Sequence, residues 1–359
     1  MLSPTYDEFF FNTASSIASL SRKNGEIIML DLPLIWAFLI ASFVIIYVIL
    51  DGFDLGIGIL YPFVRSHSDR DIMMNSVAPF WDGNETWLVL GGASLYSAFP
   101  IAYSILLPTL YMPIMIMLAA LIFRGVAFEF RFKSKRSRLL WDLSFSLGSF
   151  TAAFMQGLIL GTFILGYSNS PAGNTPFIWL TPFSIMTGIA VTCGYAMLGA
   201  TWLINKTHSH IQQVMFNAAK ILLPLIVGFV VIVSLWTPFT APRLIDIWFK
   251  YPDALYLAPL PIATFILLGT IWLSLIYRYE KLPFILTIGV FILCYIGFGI
   301  SSWPYVVPHT ITIWQAAAND KSLRFILVGA LILLPLLISY SIYSYYIFRG
   351  KVDTETGYH

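Results

Sequence analysis

The sequence predicts an all-α polytopic membrane protein of about nine transmembrane helices, on two observations. Hydrophobic residues make up 58% of the 359 positions and charged residues only 11%, a balance that ordinary water-soluble domains do not have. The apolar residues also gather into runs of about 20, the length a helix needs to cross a hydrocarbon core about 30 Å thick.

Residues 1–30 stand apart, with Asp7, Glu8, Arg22, Lys23 and Glu26 among them. They lack the basic start, apolar run and small-residue cleavage site of a secretory signal. They are expected to form a weakly ordered extension, and Met29 is an alternative start. The main unit, 31–352, is expected to hold spans near 33–55, 80–99, 101–128, 140–166, 176–203, 214–237, 256–277, 283–303 and 323–348, followed by a short tail, 353–359. The second and third spans meet at Phe99-Pro100. Pro108 and Pro113 should bend the third, because each removes a backbone donor.

Threading the chain through these spans places twelve basic residues on the C-terminal side: Arg65, Arg70, Arg131, Lys133, Lys135, Arg136, Arg138, Lys206, Arg278, Lys281, Arg349 and Lys351. The other side carries six, Arg22, Lys23, Arg243, Lys250, Lys321 and Arg324. The positive-inside rule then makes the C-terminus cytoplasmic and puts the N-terminus on the opposite, outer face. The basic loop Arg131–Arg138 reads as a topology signal and not as a nucleic-acid patch.

Two acidic clusters interrupt the apolar pattern. Asp51-Gly52-Phe53-Asp54-Leu55-Gly56-Ile57-Gly58 ends the first run, and Trp81-Asp82-Gly83-Asn84-Glu85-Thr86-Trp87 begins the second. A carboxylate at mid-bilayer costs roughly 2.5 kcal/mol or more, so such acids usually face a protein interior or a water-filled path. Each pair is spaced i, i+3 and shares a helix face. Glycines 52, 56, 58 and 83 are expected to let the two acid-bearing faces converge. The blander alternative is capping and tight packing, which suits Asp82 better than Asp54 or Glu85. Asp142, after Trp141, reads first as an N-terminal cap. Arg124 and Glu129 close the third span, where Arg124 either snorkels or pairs with an acid.

Cys193 and Cys294 lie in separate apolar runs and read as buried thiols. The histidines, His67, His208, His210, His309 and His359, fall in expected loops or at the terminus. None is placed to ligate a haem inside the bilayer, so no cofactor or metal site is expected in this chain. No nucleotide-binding fingerprint or zinc helix is present.

These residues resemble a known family, subunit II of the cytochrome bd-type quinol oxidases, including its cyanide-insensitive-like branch. The carrying pieces are the two acidic motifs, the second extended from Asn75 to Leu88, then Phe123-Arg124-Gly125-Val126-Ala127-Phe128-Glu129-Phe130-Arg131, the stretch Trp303–Trp314 and the close at Phe348–Val352. The resemblance implies two four-helix bundles with one peripheral helix, paired with a similarly folded subunit I. That partner would hold haem b and haem d, or haem b only, and would oxidise quinol. The complex would reduce dioxygen to water with cytoplasmic protons, and quinone, lipid and a small single-helix accessory subunit are further implied partners. By matching position, Asp82, Asp54 and Asp142 are implied proton-route carboxylates. Glu85 is implied as another, at a position where some members have Gln. Trp81 would hold the contact with subunit I, and Asp51, Arg124 and Glu129 would support the site or interface. Gln315 stands where many members have Asp, which removes an acid role there. The competing readings are a proton-coupled secondary transporter and a purely structural anchor. A transporter site is expected at mid-membrane within an inverted repeat, whereas these acids cluster toward one face and no repeat is readable.

Overall fold

The computed structural model describes residues 31–134, 136–166, 177–240 and 243–352. The extension 1–30 and the tail 353–359 lie outside the described residues. The first helix, α1 (Leu32–Leu60), starts where Asp31 Oδ1 accepts the Leu34 amide at 3.1 Å. A 3₁₀ turn, Tyr61–Phe63, and a short helix α2 (His67–Asn75) lead into α3 (Trp81–Ala98).

The expected third span is divided into α4 (Pro100–Thr109) and α5 (Tyr111–Arg131). Pro113 has no N–H to offer the Thr109 carbonyl four residues back, so the helical ladder breaks at Leu110. The chain continues as α6 (Arg138–Leu165), α7 (Pro182–Lys206) and α8 (Ser209–Thr240). The α7 start is fixed by a capping box between Thr181 and Ser184. Two short helices absent from the sequence reading follow, α9 (Arg243–Phe249) and α10 (Asp253–Leu257), then α11 (Pro259–Ile276) and α12 (Leu282–Ser302). Strands β1 (Tyr305–Val307) and β2 (Ile311–Thr312) form an antiparallel hairpin, pairing Tyr305 with Thr312. A single turn, α13 (Ile313–Ala316), and the long α14 (Asp320–Ile347) complete the chain.

Among the described residues, eight helices are long and apolar enough to cross a membrane. The second expected span, α3, misses that test because Asp82, Asn84 and Glu85 occupy its first turns. It packs lengthwise on α1, which also contacts α6 and α7. Helices α1, α6 and α7 pack on one another, α3 lies on α1, α5 on α6 and α8 on α7, α11 pairs with α12, and α14 is peripheral: Leu323 is its one buried residue.

The glycines of α1 do not perform the expected task. A Cβ on Gly56 would lie 1.8 Å from the Tyr195 carbonyl oxygen on α7, and one on Gly58 would lie 2.0 Å from Ser149 Oγ on α6. They therefore seat α1 against α7 and α6, while its contact with α3 is made by side chains.

The two ends of the bundle are tied differently. At one, Trp36 Nε1 donates to the Leu323 carbonyl at 3.1 Å and Trp314 Nε1 to Asp31 Oδ2 at 3.1 Å, joining the hairpin end to the start of α1. At the other, the Val352 amide donates to the Lys206 carbonyl at 2.8 Å and Lys351 pairs with Glu280 at 2.8 Å.

Candidate functional site: a buried acid cluster

Arg124 lies about two turns before the end of α5 and has no exposed side-chain surface. Its Nη2 is 2.6 Å from Asp54 Oδ1, and its Nη1 is 2.9 Å from Glu85 Oε1 and 3.6 Å from Asp51 Oδ1. The i, i+3 spacing of Asp51 and Asp54 presents both carboxyls from α1, while Glu85 reaches the same guanidinium from the second turn of α3. Complete burial removes the snorkelling alternative for Arg124 and selects pairing. Three carboxylates around one guanidinium leave two negative charges without a cation when all are ionised, a costly state in apolar surroundings. The set is thus suited to binding and handing on protons. The Arg124–Asp54 approach is Coulombic more than directional, since neither Asp54 oxygen receives a well-aligned hydrogen bond among the described residues.

Polar neighbours extend the cluster on both sides. Asn84, beside Glu85 and 2% exposed, donates from Nδ2 to the Leu50 carbonyl at 3.1 Å and accepts the Tyr345 hydroxyl from α14 at 2.8 Å. On the opposite side Tyr47 lies one helical turn before Asp51 on α1, and both are buried. Tyr47 accepts Gln156 Nε2 from α6 at 2.7 Å, and Gln156 Oε1 accepts the Tyr195 hydroxyl from α7 at 2.7 Å.

The other residues singled out from sequence occupy different places. Asp82 is exposed on α3 and makes no ion pair among the described residues, so the four acids do not converge as a set. Asn84, not Asp82, takes the inward position on that turn. Trp81 stacks on Phe128 with centroids 5.1 Å apart and planes at 5°, against Gly125, and so sets the start of α3 on α5. Glu129 is exposed and, among the described residues, pairs only with Lys133, at 3.3 Å.

Asp142 is not an N-cap. It is the fifth residue of α6, where it accepts from Tyr61 at 3.1 Å and Arg70 at 2.9 Å and pairs with Arg131 Nε. Arg131 Nη1 also lies 2.6 Å from Asp71, which Arg138 engages as well. Asp142 therefore anchors a separate ionic cluster at the basic end.

Sequence reading did not single out Asn84, Tyr345, Tyr47, Gln156 or Tyr195. Two signals were available: Tyr47 precedes Asp51 by one helical turn, and Gln156 is a lone amide in an apolar run. Among the described histidines, His67 and His210 stand at helix starts, His208 in the connection before α8 and His309 in the hairpin. Among the described residues, no group of three His, Cys, Asp or Glu is arranged to hold a metal.

A sequence model of the family "Cytochrome bd terminal oxidase subunit II" matches residues 32–348, nearly the whole described chain. The chain belongs to that family. A Bacillus subtilis (strain 168) relative named cytochrome bd ubiquinol oxidase subunit 2 is 29% identical over 343 residues, spanning 90% of this chain and 98% of the relative. The cytochrome bd-I ubiquinol oxidase subunit 2 of Escherichia coli (strain K12) is 25% identical over 370 residues, spanning 90% and 96%. The solved bd oxidase from Geobacillus thermodenitrificans shares the fold, with a TM-score of 0.71 at 18% identity, covering 90% of this chain and 100% of that one. Membership of the bd oxidase family makes this a multi-pass membrane subunit of a respiratory oxidoreductase.

Proposed function

We propose that this chain is the non-haem subunit of a quinol:oxygen oxidoreductase, and that its acid cluster forms part of the route by which cytoplasmic protons reach the site of oxygen reduction. The arrangement of Asp51, Asp54 and Glu85 around Arg124 carries this reading. Haem b and haem d, or haem b only, belong to a subunit I partner, where they carry electrons and reduce dioxygen. Quinol is oxidised in the complex, and quinone, lipid and a single-helix accessory subunit are its further associates.

This chain's own residues hold and move protons. The basic end, with Arg70, Arg131, Arg138 and Lys206, lies on the cytoplasmic side by the positive-inside rule. Asp82 and Glu85 are one turn apart on α3, Asp82 exposed and Glu85 partly so. Glu85 is the open end of the cluster and Asp82, outside the cluster, is the exposed carboxyl before it, on the face against which the haem-bearing subunit would pack. A proton accepted there passes between Glu85 and Asp54, which share Arg124 as counter-charge while the guanidinium itself stays protonated throughout. Carboxyls suit this task because they both accept and release protons, which amides cannot do.

The test is Asp82→Asn and Asp82→Glu in the assembled complex. Asp82→Asn should slow quinol-driven oxygen reduction strongly with the haem spectrum intact, and Asp82→Glu should retain more activity. A structural anchor or a transporter would show full oxidase turnover in a haem-replete Asp82→Asn complex.

A further inference from the structure

The last two turns of α14 carry Tyr340, Tyr343, Tyr345 and Tyr346, and Arg349 and Lys351 follow just beyond the helix. Aromatic residues at the end of a span, followed by basic ones, mark the level of the lipid headgroups. The leaflet at the basic end of the bundle therefore meets the protein here.

An open groove of about 500 Å³ runs from that level toward mid-membrane, between α14, α1 and α3. Its α14 wall is one helix face, from Tyr346 through Ile342 to Ile338, with Leu50 of α1 and Trp87 of α3 opposite. The walls present carbon almost throughout. From Ile338 to Arg349 is roughly 16 Å at the helical rise, one leaflet's share of a hydrocarbon core about 30 Å thick.

Arg349 stands at the mouth of the groove. Its guanidinium carbon lies 4.3 Å from the centroid of the Tyr346 ring. Among the described residues no carboxylate pairs with Arg349, whereas Lys351 is taken by Glu280 at 2.8 Å. Lys206, buried at the end of α7, donates from Nζ to the carbonyls of Phe348 and Gly350, so the backbone on both sides of Arg349 is held. An apolar slot one leaflet long, with an unpaired cation fixed at headgroup depth, matches an amphiphile with an anionic head.

We propose that this groove binds an anionic phospholipid of that leaflet, with one acyl chain along α14 from Tyr346 to Ile338 and the headgroup phosphate on Arg349. A neutral quinone in the same place would leave Arg349 without a counter-charge. The inference does not rest on the proton route. It does touch the acid cluster, because Tyr345, which faces the groove, also donates its hydroxyl to Asn84 beside Glu85 at 2.8 Å.

The experiment places the assembled, haem-replete complex in phosphatidylcholine vesicles doped with a phospholipid that carries a diazirine on its acyl chain, either phosphatidylglycerol or phosphatidylcholine. Photo-crosslinks are mapped by peptide mass spectrometry, and labelling of Ile338 and Ile342 is read against Leu336 and Tyr343, which lie outside the groove on the same helix. The phosphatidylglycerol probe should label the groove about fivefold more than the phosphatidylcholine probe, the preference that one basic residue gives an anionic headgroup. Arg349→Gln should abolish that preference, Arg349→Lys should keep most of it, and Ser341→Trp, which fills the groove, should remove groove labelling by both probes. Equal labelling by the two probes, or a preference unchanged in Arg349→Gln, would overturn the proposal. An unlabelled groove in the parent complex would also overturn it, by showing that a quinone or a partner helix lies there instead. Should Ser341→Trp not assemble, the Arg349 variants decide, since they alter only an exposed side chain.

Discussion

Arg124 Nη2 lies 2.6 Å from Asp54 Oδ1, and neither side chain is exposed. Removing one member of such a pair strands the other, at a cost of about 3–5 kcal/mol, whereas replacing both with apolar groups is often tolerated. Arg124→Met should therefore shorten the thermal half-life of the assembled complex sharply, and Arg124→Met with Asp54→Leu should recover part of it. Equal half-lives for parent and Arg124→Met would show that the pair does not hold α5 to α1.

Close backbone approach makes a second prediction. A Cβ at Gly56 would stand 1.8 Å from a carbonyl oxygen of α7, whereas Gly228 on α8 has nothing within 4 Å of its Cβ position. Gly56→Ala should abolish accumulation of folded protein in the membrane, and Gly228→Ala should leave it unchanged or slightly raised, as helix propensity dictates. Membrane levels after expression check both. Normal levels of Gly56→Ala would contradict the seating of α1 on α7.

Asp142 offers a third. It is the shared counter-charge of Arg70 and Arg131, and Asp142→Asn would leave Arg131 with Asp71, which Arg138 also engages, and Arg70 with no carboxylate among the described residues. The expected result is a lower melting temperature of the complex, read by loss of haem absorbance on heating. A fully stable Asp142→Asn complex with selectively slowed proton uptake would instead place Asp142 on the route.

Much of the fold was legible because the bilayer enforces apolar runs of fixed length, and the interruptions of those runs were the acids themselves. Asp51, Asp54 and Glu85 could be grouped from i, i+3 spacing and shared depth. Asp82 could not be separated from them, since facing is set by the rotation of α3 about its axis, which Trp81 on Phe128 and Asn84 on Leu50 determine. The Pro113 break was expected as a bend because a missing donor does not say whether the helix resumes. Gln156 and Tyr195 escaped notice because single polar residues in apolar helices become informative only when three helices bring them together. The hairpin and α9 escaped because short elements are fixed by tertiary contacts such as Arg243 Nη2 donating to the Trp303 carbonyl at 2.7 Å.

The same hairpin segment gives a pH prediction. Burial, reinforced by Arg243, holds the His309 imidazole below the ordinary histidine range. A depressed value means that the unfolded segment binds the proton more readily, so the contribution of His309 is complete above about pH 6.5 and is lost as pH falls toward its folded value. Amide hydrogen exchange across residues 303–312, corrected for intrinsic rates, should accelerate between about pH 7 and about pH 5.5. His309→Asn should flatten that response, and an unchanged response would exclude His309 as its source.

The central claim is that the buried carboxyls around Arg124 carry protons for oxygen reduction. It is tested most directly by proton uptake from the cytoplasmic side when the fully reduced, haem-replete complex carrying Asp54→Asn meets dioxygen. Uptake should slow by about a hundredfold, in keeping with loss of a positioned proton donor and acceptor, while the reduced-minus-oxidised haem spectrum stays that of the parent. Uptake and turnover at the parent rate in that complex would contradict the account.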